Sequence, residues 1–209
     1  EDIAVSFFVE RYMDNPKELT PVKRLAPGKE TTVDLYGLFT EELMGITEGT
    51  KASARITLSY SFGSRRQRRM YTPAIEFHNR NALTWSDDRK IASFVTAKDP
   101  EVLSFAKRVT GWMQSVQNPE VDENLQKGIA LFSALKSYGL RYEVDPTTPF
   151  SELSASETEV DFLQFPRQTL QFTSGDCDDL TALYAALLEA VGVETAVITV
   201  PGHIYPAFA

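Results

Sequence analysis

Alternation of apolar and polar residues dominates the first half of the chain and predicts β-strands, because successive side chains of a strand face opposite sides of a sheet. The clearest segment is KASARITLSY, residues 51–60, whose apolar positions are Ala52, Ala54, Ile56, Leu58 and Tyr60. Weaker versions are Val5, Phe7 and Val9 on one face of 3–13, and a segment running from a Pro27-Gly28 turn through Val33 and Leu35. Several such strands separated by turn residues predict a small immunoglobulin-like β-sandwich over residues 1–97.

A basic run, GSRRQRR at Gly63–Arg69, falls between two predicted strands. Runs of like charge are usually solvated, so we expect a hairpin loop here. A specific anion-binding role is the less favoured alternative for this run.

The hydrophobic period changes at Asp99-Pro100, which predicts the cap and first turn of a helix. The apolar stripe of this helix is expected at Val102, Phe105, Val109 and Trp112. A second helix is predicted from Asp122, with Gly139 as its end and Leu125, Ile129, Phe132 and Leu135 facing inward. Residues 98–209 therefore form a second, α+β domain in this interpretation.

The connections between these elements are expected to be irregular. The proline-containing and polar segments 141–150 and 151–170 are interpreted as long surface loops, a feature that often accompanies a functional site. The segment 79–100 is expected to join the two domains, with Trp85, Phe94 and Val95 packing against the second one.

Composition narrows the function classes. The 209 residues suit two modest domains, and 43% hydrophobic residues allow a sizeable core. A net charge of −8 argues against nucleic acid as a bulk partner. A single cysteine excludes an intramolecular disulfide and CxxC-type zinc sites. No apolar run approaches the length of a membrane span, and no signal peptide is visible. The chain begins at Glu1, so we expect it to be part of a longer protein. The sequence leaves the compartment open between the cytosol and export, to the periplasm or the extracellular space.

The only cysteine, Cys177, lies at the start of a strongly amphipathic helix that ends at Gly192. The apolar positions of the helix are Leu180, Leu183, Tyr184, Leu187, Leu188 and Val191. Asp176 is expected to cap this helix, with Asp179 completing a capping box. The strand ETAVITV and a Pro201-Gly202 turn follow, and His203 opens the next segment.

This arrangement favours a reactive thiol, because a helix N-terminus stabilises thiolate and a nearby imidazole could shuttle its proton. The negative charges of Asp176, Asp178 and Asp179 oppose that effect. Taken singly, a free cysteine on a helix is usually a small buried hydrophobe and a lone histidine in a turn is usually structural. Their occurrence together, with Gly175 before the thiol, is more specific.

Residues 174–208, SGDCDDLTALYAALLEAVGVETAVITVPGHIYPAF, resemble the core of the transglutaminase-like superfamily of papain-like cysteine enzymes. The matching features are Gly175-x-Cys177, the step from Gly192 to Ala196 into a strand, and His203. The resemblance covers about residues 99–209, and bacterial members with a preceding β-sandwich fit the layout.

The resemblance implies that Cys177 is the nucleophile, that His203 is its general base and then acid, and that the backbone N–H of Cys177 contributes to an oxyanion hole. A side chain usually assists, but the upstream residues Gln164, Gln168 and Gln171 lie in no clear motif. The third triad member, an Asp or Asn on the next strand, is absent from this chain, which stops six residues after His203. The family's core is therefore expected to be C-terminally truncated here.

Three hypotheses follow. The first is acyl transfer through a Cys177 thioester, most often hydrolysis, on a protein, peptide or cell-wall peptide, with no cofactor or metal. The second is an inactive transglutaminase-like binding or scaffold module. The third treats Asp176, Asp178 and Asp179 as a calcium site, although their spacing is not that of an EF-hand.

Overall fold

A computed structural model describes residues 3–19, 24–113, 115, 118–145, 150 and 158–209. The chain divides into two compact units, residues 1–80 and 81–209. The segment 81–97, placed in the first domain by the sequence analysis, therefore packs with the second unit. None of the helices in the described part of the chain combines the length and apolar character needed to cross a bilayer.

Unit 1 is built on an antiparallel sheet of five strands, β1 (Ala4–Val9), β2 (Lys17–Glu18), β3 (Thr50–Phe62), β4 (Arg65–Tyr71) and β5 (Ala74–Phe77). The order is β2-β1-β3-β4. Strand β4 pairs with residues 56–62 of β3, and β5 pairs with residues 50–53 of the same strand. A short 3-10 helix spans Glu41–Gly45. The core gathers on one face of this sheet, where Tyr12 meets Phe77 edge-on at 5.0 Å.

The outcome for the predicted strands is mixed. The alternating segments 3–13 and 51–60 form β1 and β3, as predicted. The Pro27-Gly28 turn is present, with Gly28 at a φ of 72°, but residues 29–40 form no regular strand, so that prediction was wrong. The arginine run is also corrected, because it forms strand β4 rather than a loop. The sandwich assignment stays a prediction.

Unit 2 surrounds one buried helix. Its helices are α1 (Pro100–Met113), α2 (Glu123–Tyr138), α3 (Pro166–Phe172) and α4 (Cys177–Ala190), with a 3-10 helix at Asp88–Ser93. Its short strands are β6 (Ala82–Leu83), β7 (Arg141–Tyr142), β8 (Asp161–Phe162), β9 (Ser174–Gly175), β10 (Thr195–Val200) and β11 (His203–Phe208). Pairing is antiparallel for β6 with β8 and for β10 with β11, and parallel for β7 with β9.

Helix α4 supplies most of the core of unit 2. Leu183, Ala186, Leu187 and Leu188 pack against buried side chains of α1, α2 and α3. A second cluster surrounds the N-terminal turn of α4 and contains Trp85, Phe94, Phe150, Leu163, Cys177 and Ile204. The expected packing of Trp85, Phe94 and Val95 against the second unit is confirmed.

The helix boundaries were predicted better than the helix faces. The Asp99 carboxylate accepts a hydrogen bond from the Glu101 N–H at 2.9 Å, and Gly139 ends α2 in the left-handed region. However, Trp112 is 68% exposed, and Leu125, Ile129 and Phe132 are also exposed. Val102 and Val109 in α1 and Leu135 in α2 are buried, as predicted. The other buried positions are Ala106 and Met113 in α1, and Gly128 and Leu131 in α2. Strand β8 and helix α3 correct the expected loop at 158–170, whereas residues 146–149 and 151–157 lie outside the described residues.

Candidate active site

Cys177 is the first residue of α4 and is buried, 7% exposed. The helix begins there because the chain turns sharply out of β9, where Gly175 allows close packing: a Cβ at this position would lie 2.6 Å from Cβ of Asp179. The first backbone bond of the helix runs from the Leu180 N–H to the Asp176 carbonyl at 3.0 Å. Among the described residues, the N–H groups of Cys177 and Asp178 therefore have no backbone partner, and they lie beside the thiol.

His203 is brought to the same place by the hairpin of β10 and β11. The Pro201-Gly202 turn reverses the chain, with Gly202 at a φ of 75°, and pairs His203 with Val200. The backbone of Ile204, the next residue, lies close to the thiol of Cys177. The imidazole is exposed, and its ring centroid lies 6.0 Å from that of Tyr205. The predicted return of His203 to the Cys177 end of α4 is present.

Cys177 and His203 both line one cavity of about 550 Å³. Its other walls are mainly apolar and aromatic: Phe132, Leu135, Leu140, Leu180, Tyr184 and Ile204. The positive side chains of Lys136 and Arg141 also belong to the lining. A nucleophile beside an apolar cavity is the arrangement in which a substrate side chain can be held while its carbonyl is attacked.

Tyr142 is a site residue that the sequence analysis missed. The parallel pairing of β7 with β9 sets Tyr142 opposite Gly175, two residues before the thiol. Its hydroxyl group lies close to Cys177, and it also lines the cavity. Burial is the main cause that raises the pKa of Tyr142, and the neighbouring acidic groups Cys177 and Asp176 add to it, so the phenol remains a hydrogen-bond donor at neutral pH. No local sequence signal marks this residue, because the contact depends on a two-residue strand pair.

The sequence analysis favoured a thiolate at Cys177, but the surroundings of this residue favour the neutral thiol. Burial raises the pKa of Cys177 to about 11, and the negative charge of Asp176 adds to the effect. The backbone N–H groups of Ile204, Cys177 and Asp178 favour the thiolate and lower the pKa, but they do not offset burial and the charge of Asp176. The helix N-terminus is thus outweighed, and the resting group at neutral pH is the neutral thiol.

Four buried carboxyl groups surround the start of α4: Asp161, Asp176, Asp178 and Asp179. Asp178 lies close to the other three carboxyl groups. Burial, together with its interaction with Asp176, raises the pKa of Asp178 to about 12. Burial also raises the pKa of Asp161, although the Trp85 indole N–H donates to this carboxyl group at 2.7 Å. Asp178 is therefore protonated at neutral pH, which relieves the repulsion that four buried charges would cause.

The predicted capping box is only half present. The Asp176 side chain makes no capping bond and instead faces the backbone N–H of Phe150 at 3.4 Å. Asp179 accepts hydrogen bonds from the backbone N–H groups of Gln164, at 2.7 Å, and Asp176. Burial nevertheless raises the pKa of Asp179 to about 7.

The three upstream glutamines have other partners. The amide N–H of Gln164 donates to Asp179 at 2.6 Å, and Gln168 accepts from the backbone N–H of Phe165 at 2.8 Å. Gln171 contacts Glu101. None of the three lines the cavity at Cys177, whereas Tyr142 does.

The acidic residues beside the thiol bear on the calcium hypothesis. Asp176, Cys177 and Asp178 can each place one ligand atom within 4.8 Å of the others. Calcium prefers six or more oxygen ligands, and the neutral state of Asp178 supplies a simpler account of the cluster. The calcium site stays a hypothesis, which a calcium-dependent shift in melting temperature would test.

Comparisons of the chain with protein-family models, with curated proteins and with solved structures found no match.

Proposed function

We propose that residues 81–209 form a transglutaminase-like cysteine enzyme that cleaves peptide or amide bonds by acyl transfer through a Cys177 thioester. The observation that carries this proposal is the placement of Cys177 and His203 in the wall of one largely apolar cavity, with the backbone of Ile204 close to the thiol. This juxtaposition provides a nucleophile, a base and room for an acyl group.

The reaction has two halves. His203 takes the thiol proton while Sγ of Cys177 forms a bond to the substrate carbonyl carbon, and the tetrahedral intermediate collapses as its C–N bond breaks. The imidazolium returns the proton to the departing amine. In the second half His203 takes a proton from water, the oxygen attacks the thioester, and the C–S bond breaks to release the acid and restore the thiol. An amine in place of water would give transfer instead of hydrolysis.

The raised pKa of Cys177 determines whether the thiol loses its proton before or during its attack on the substrate. A thiol with a pKa of about 11 is protonated in the resting site, so deprotonation accompanies attack rather than preceding it. The absence of a preformed ion pair makes the base indispensable. We therefore expect removal of His203 to slow acylation strongly.

The oxyanion has two donors in this geometry. The backbone N–H of Cys177, at the positive end of α4, has no backbone partner within the described part of the chain, and the neutral phenol of Tyr142 lies close to the thiol. In this proposal both donate to the carbonyl oxygen, on which negative charge develops during the attack. Loss of one such donor typically reduces kcat by about 100-fold to 1000-fold.

The cavity also restricts the substrate. Its walls of leucine, phenylalanine and tyrosine match a bulky apolar side chain on the acyl side of the bond to be cleaved. We propose peptides or proteins, including cell-wall peptides, as the substrates. An acyl residue with a small or charged side chain would leave the cavity poorly filled.

The test is acylation by the p-nitrophenyl ester of N-acetyl-leucine, followed by intact mass spectrometry. The expected product is one acyl adduct on the wild-type chain and none on Cys177→Ala. His203→Ala should acylate at least 100-fold more slowly, given the typical contribution of a general base. The matched control is His78→Ala, which removes the only other histidine, an exposed residue of unit 1.

Tyr142→Phe separates the oxyanion role from substrate binding. This variant should lower the acylation rate constant by at least 10-fold, with little change in the ester concentration that half-saturates the rate. A rise in that concentration alone would assign Tyr142 to binding.

The neutral thiol is also the observation that favours the alternative, an inactive binding or scaffold module. Acylation that proceeds equally fast in His203→Ala and His78→Ala would overturn the enzyme proposal. The binding module would then become the better explanation for the apolar cavity.

A further inference from the structure

Positive charge is concentrated in one hairpin of unit 1. The hairpin formed by β3 and β4, residues 50–71, contains six of the chain's 21 lysine and arginine residues and none of its 29 acidic residues. These residues are Lys51, Arg55, Arg65, Arg66, Arg68 and Arg69. Such segregation is pronounced in a chain whose net charge is −8. The hairpin therefore creates a local positive field, which attracts an anionic partner and not a neutral or positive one.

The four arginines of β4 are exposed on both faces of the strand. All seven residues of β4 are exposed, and β4 forms one edge of the sheet. Alternation along the strand directs Arg65 and Arg69 to one face and Arg66 and Arg68 to the other. Within the described residues none of these four takes part in an ion pair, although Arg69 hydrogen-bonds to Tyr71 and Tyr60.

The tip of the hairpin is apolar. Phe62, the last residue of β3, is 81% exposed, and Gly63 makes the turn with a φ of 60°. Met70 and Tyr71, near the far end of β4, are also exposed. Protection of an edge strand against aggregation accounts for exposed arginines. It does not account for an exposed phenylalanine at the tip, because aromatic residues increase the tendency to associate.

We propose that the β3–β4 hairpin docks end-on against an anionic lipid bilayer. Phe62 would enter the boundary between headgroups and acyl chains, while the arginines bind lipid phosphates. At about 3.3 Å per residue, Arg65 and Arg66 lie within the headgroup layer when Phe62 is inserted. Arg68 and Arg69 remain within a Debye length of about 8 to 10 Å of the surface.

The distribution of arginines selects a bilayer over a nucleic acid. A nucleic-acid strand lying on a sheet contacts one face, and aromatic side chains within that face stack on its bases. Here the arginines occupy both faces and the most exposed aromatic ring is at the tip. A fluid surface that surrounds the tip can engage both sets of arginines at once.

The experiment is co-sedimentation of the full chain with vesicles of phosphatidylcholine alone and of equimolar phosphatidylcholine and phosphatidylglycerol. We expect binding to the anionic vesicles only, weakened by added salt. A variant with Arg65, Arg66, Arg68 and Arg69 changed to Gln should bind at least 100-fold more weakly, because each cation near the surface contributes about fivefold. The matched control makes the same charge change at four exposed cations elsewhere: Lys29, Lys98, Lys107 and Arg108 to Gln.

Insertion of the tip is tested separately with Phe62→Ser and Phe62→Trp. Phe62→Ser should reduce binding to anionic vesicles by at least threefold with its salt dependence unchanged. Phe62→Trp should add a tryptophan emission that shifts to shorter wavelength with anionic vesicles and is quenched by brominated acyl chains.

Three results would overturn the proposal. Equal losses in the two four-glutamine variants would show that only total charge matters. Binding that is unchanged in Phe62→Ser, with Phe62→Trp unquenched, would exclude insertion of the tip. Retention on immobilised single-stranded DNA without retention on vesicles would assign the arginines to nucleic acid.

Discussion

The surroundings of the N-terminal turn of α4 and strand β4 each bring four groups of like charge close together, and the two regions accommodate them in opposite ways. The arginines of β4 are exposed, so water screens them and all four remain charged. The carboxyl groups around Cys177 are buried, so one of them, Asp178, is kept protonated. Like-charge repulsion is relieved by solvent in the first region and by proton binding in the second. The two regions therefore differ in how they respond to pH and to substitution.

The largest effect should come from adding one more charge to each region. Ala182, in α4, is completely buried, and Ala182→Asp would add a fifth carboxyl group without a partner. We expect a loss of more than about 4 kcal/mol in the free energy of unfolding. Gln67→Arg, a fifth arginine on β4, should change it by less than about 0.5 kcal/mol. Urea denaturation of the two variants measures both, and equal losses would show that burial is not the cause.

The next effect is a dependence of stability on pH. The pKa values of Asp178, about 12, and Asp179, about 7, lie above those of an unfolded aspartate. The folded state therefore binds more protons, and stability falls as pH rises from about 4, by up to about 1.4 kcal/mol per unit for each group. Asp178→Asn should remove the part of this pH dependence that Asp178 causes, and it should raise the melting temperature at pH 8 by several degrees relative to wild type.

Melting curves at pH 5 and pH 8 decide this point. The gain from Asp178→Asn should be larger at pH 8 than at pH 5. A wild-type protein that is more stable at pH 8 would contradict the assigned protonation of Asp178.

A smaller effect is expected on the thiol. The charge of Asp176 contributes to the raised pKa of Cys177, so Asp176→Asn should lower that pKa. Each unit of decrease raises the thiolate fraction at pH 8 about tenfold, because the wild-type thiol is almost wholly protonated there. The rate of alkylation by iodoacetamide from pH 7 to pH 11 measures the pKa directly. A midpoint that does not move in Asp176→Asn would leave burial as the whole cause.

The smallest effect should be seen when the arginines of β4 are neutralised. Because they are solvated, the variant with four glutamines should unfold within about 0.5 kcal/mol of wild type. A clear stabilisation would mean that the arginines repel one another despite their exposure, which would narrow the contrast between the two regions. Thermal unfolding at low and high salt measures this repulsion.

Local periodicity was sufficient to predict the elements that carry Cys177 and His203. The apolar pattern of α4 is dense, and the Pro201-Gly202 turn leaves little freedom in placing β11. The prediction that Leu125, Ile129 and Phe132 face inward on α2 was wrong, because the apolar residues of this helix occupy two of its sides. Close packing decided the outcome: a Cβ on Gly128 would lie 2.5 Å from the ring of Phe208, so the glycine side faces the core.

Non-local contacts were beyond the reach of the sequence. Tyr142 reaches the thiol only through the pairing of β7 with β9, and Asp161 joins the carboxyl cluster only through β8. The pKa of Cys177 depended on burial by residues far along the chain, among them Trp85 and Phe150. The helix N-terminus could be predicted, but the stronger effect of desolvation required the packed structure.

The two-residue turn before His203 has a consequence for how such a site can be gained or lost. Side chains along β11 alternate between faces, so a one-residue insertion or deletion at Pro201-Gly202 would shift the register of the hairpin and exchange those faces. The imidazole would leave the wall beside the sulfur, and the buried side chain of Ile204, which packs with Cys177 at the N-terminal turn of α4, would leave the core with it. A single-codon change could therefore separate the imidazole from the thiol, and it would do so at a cost in the packing of Ile204 against α4.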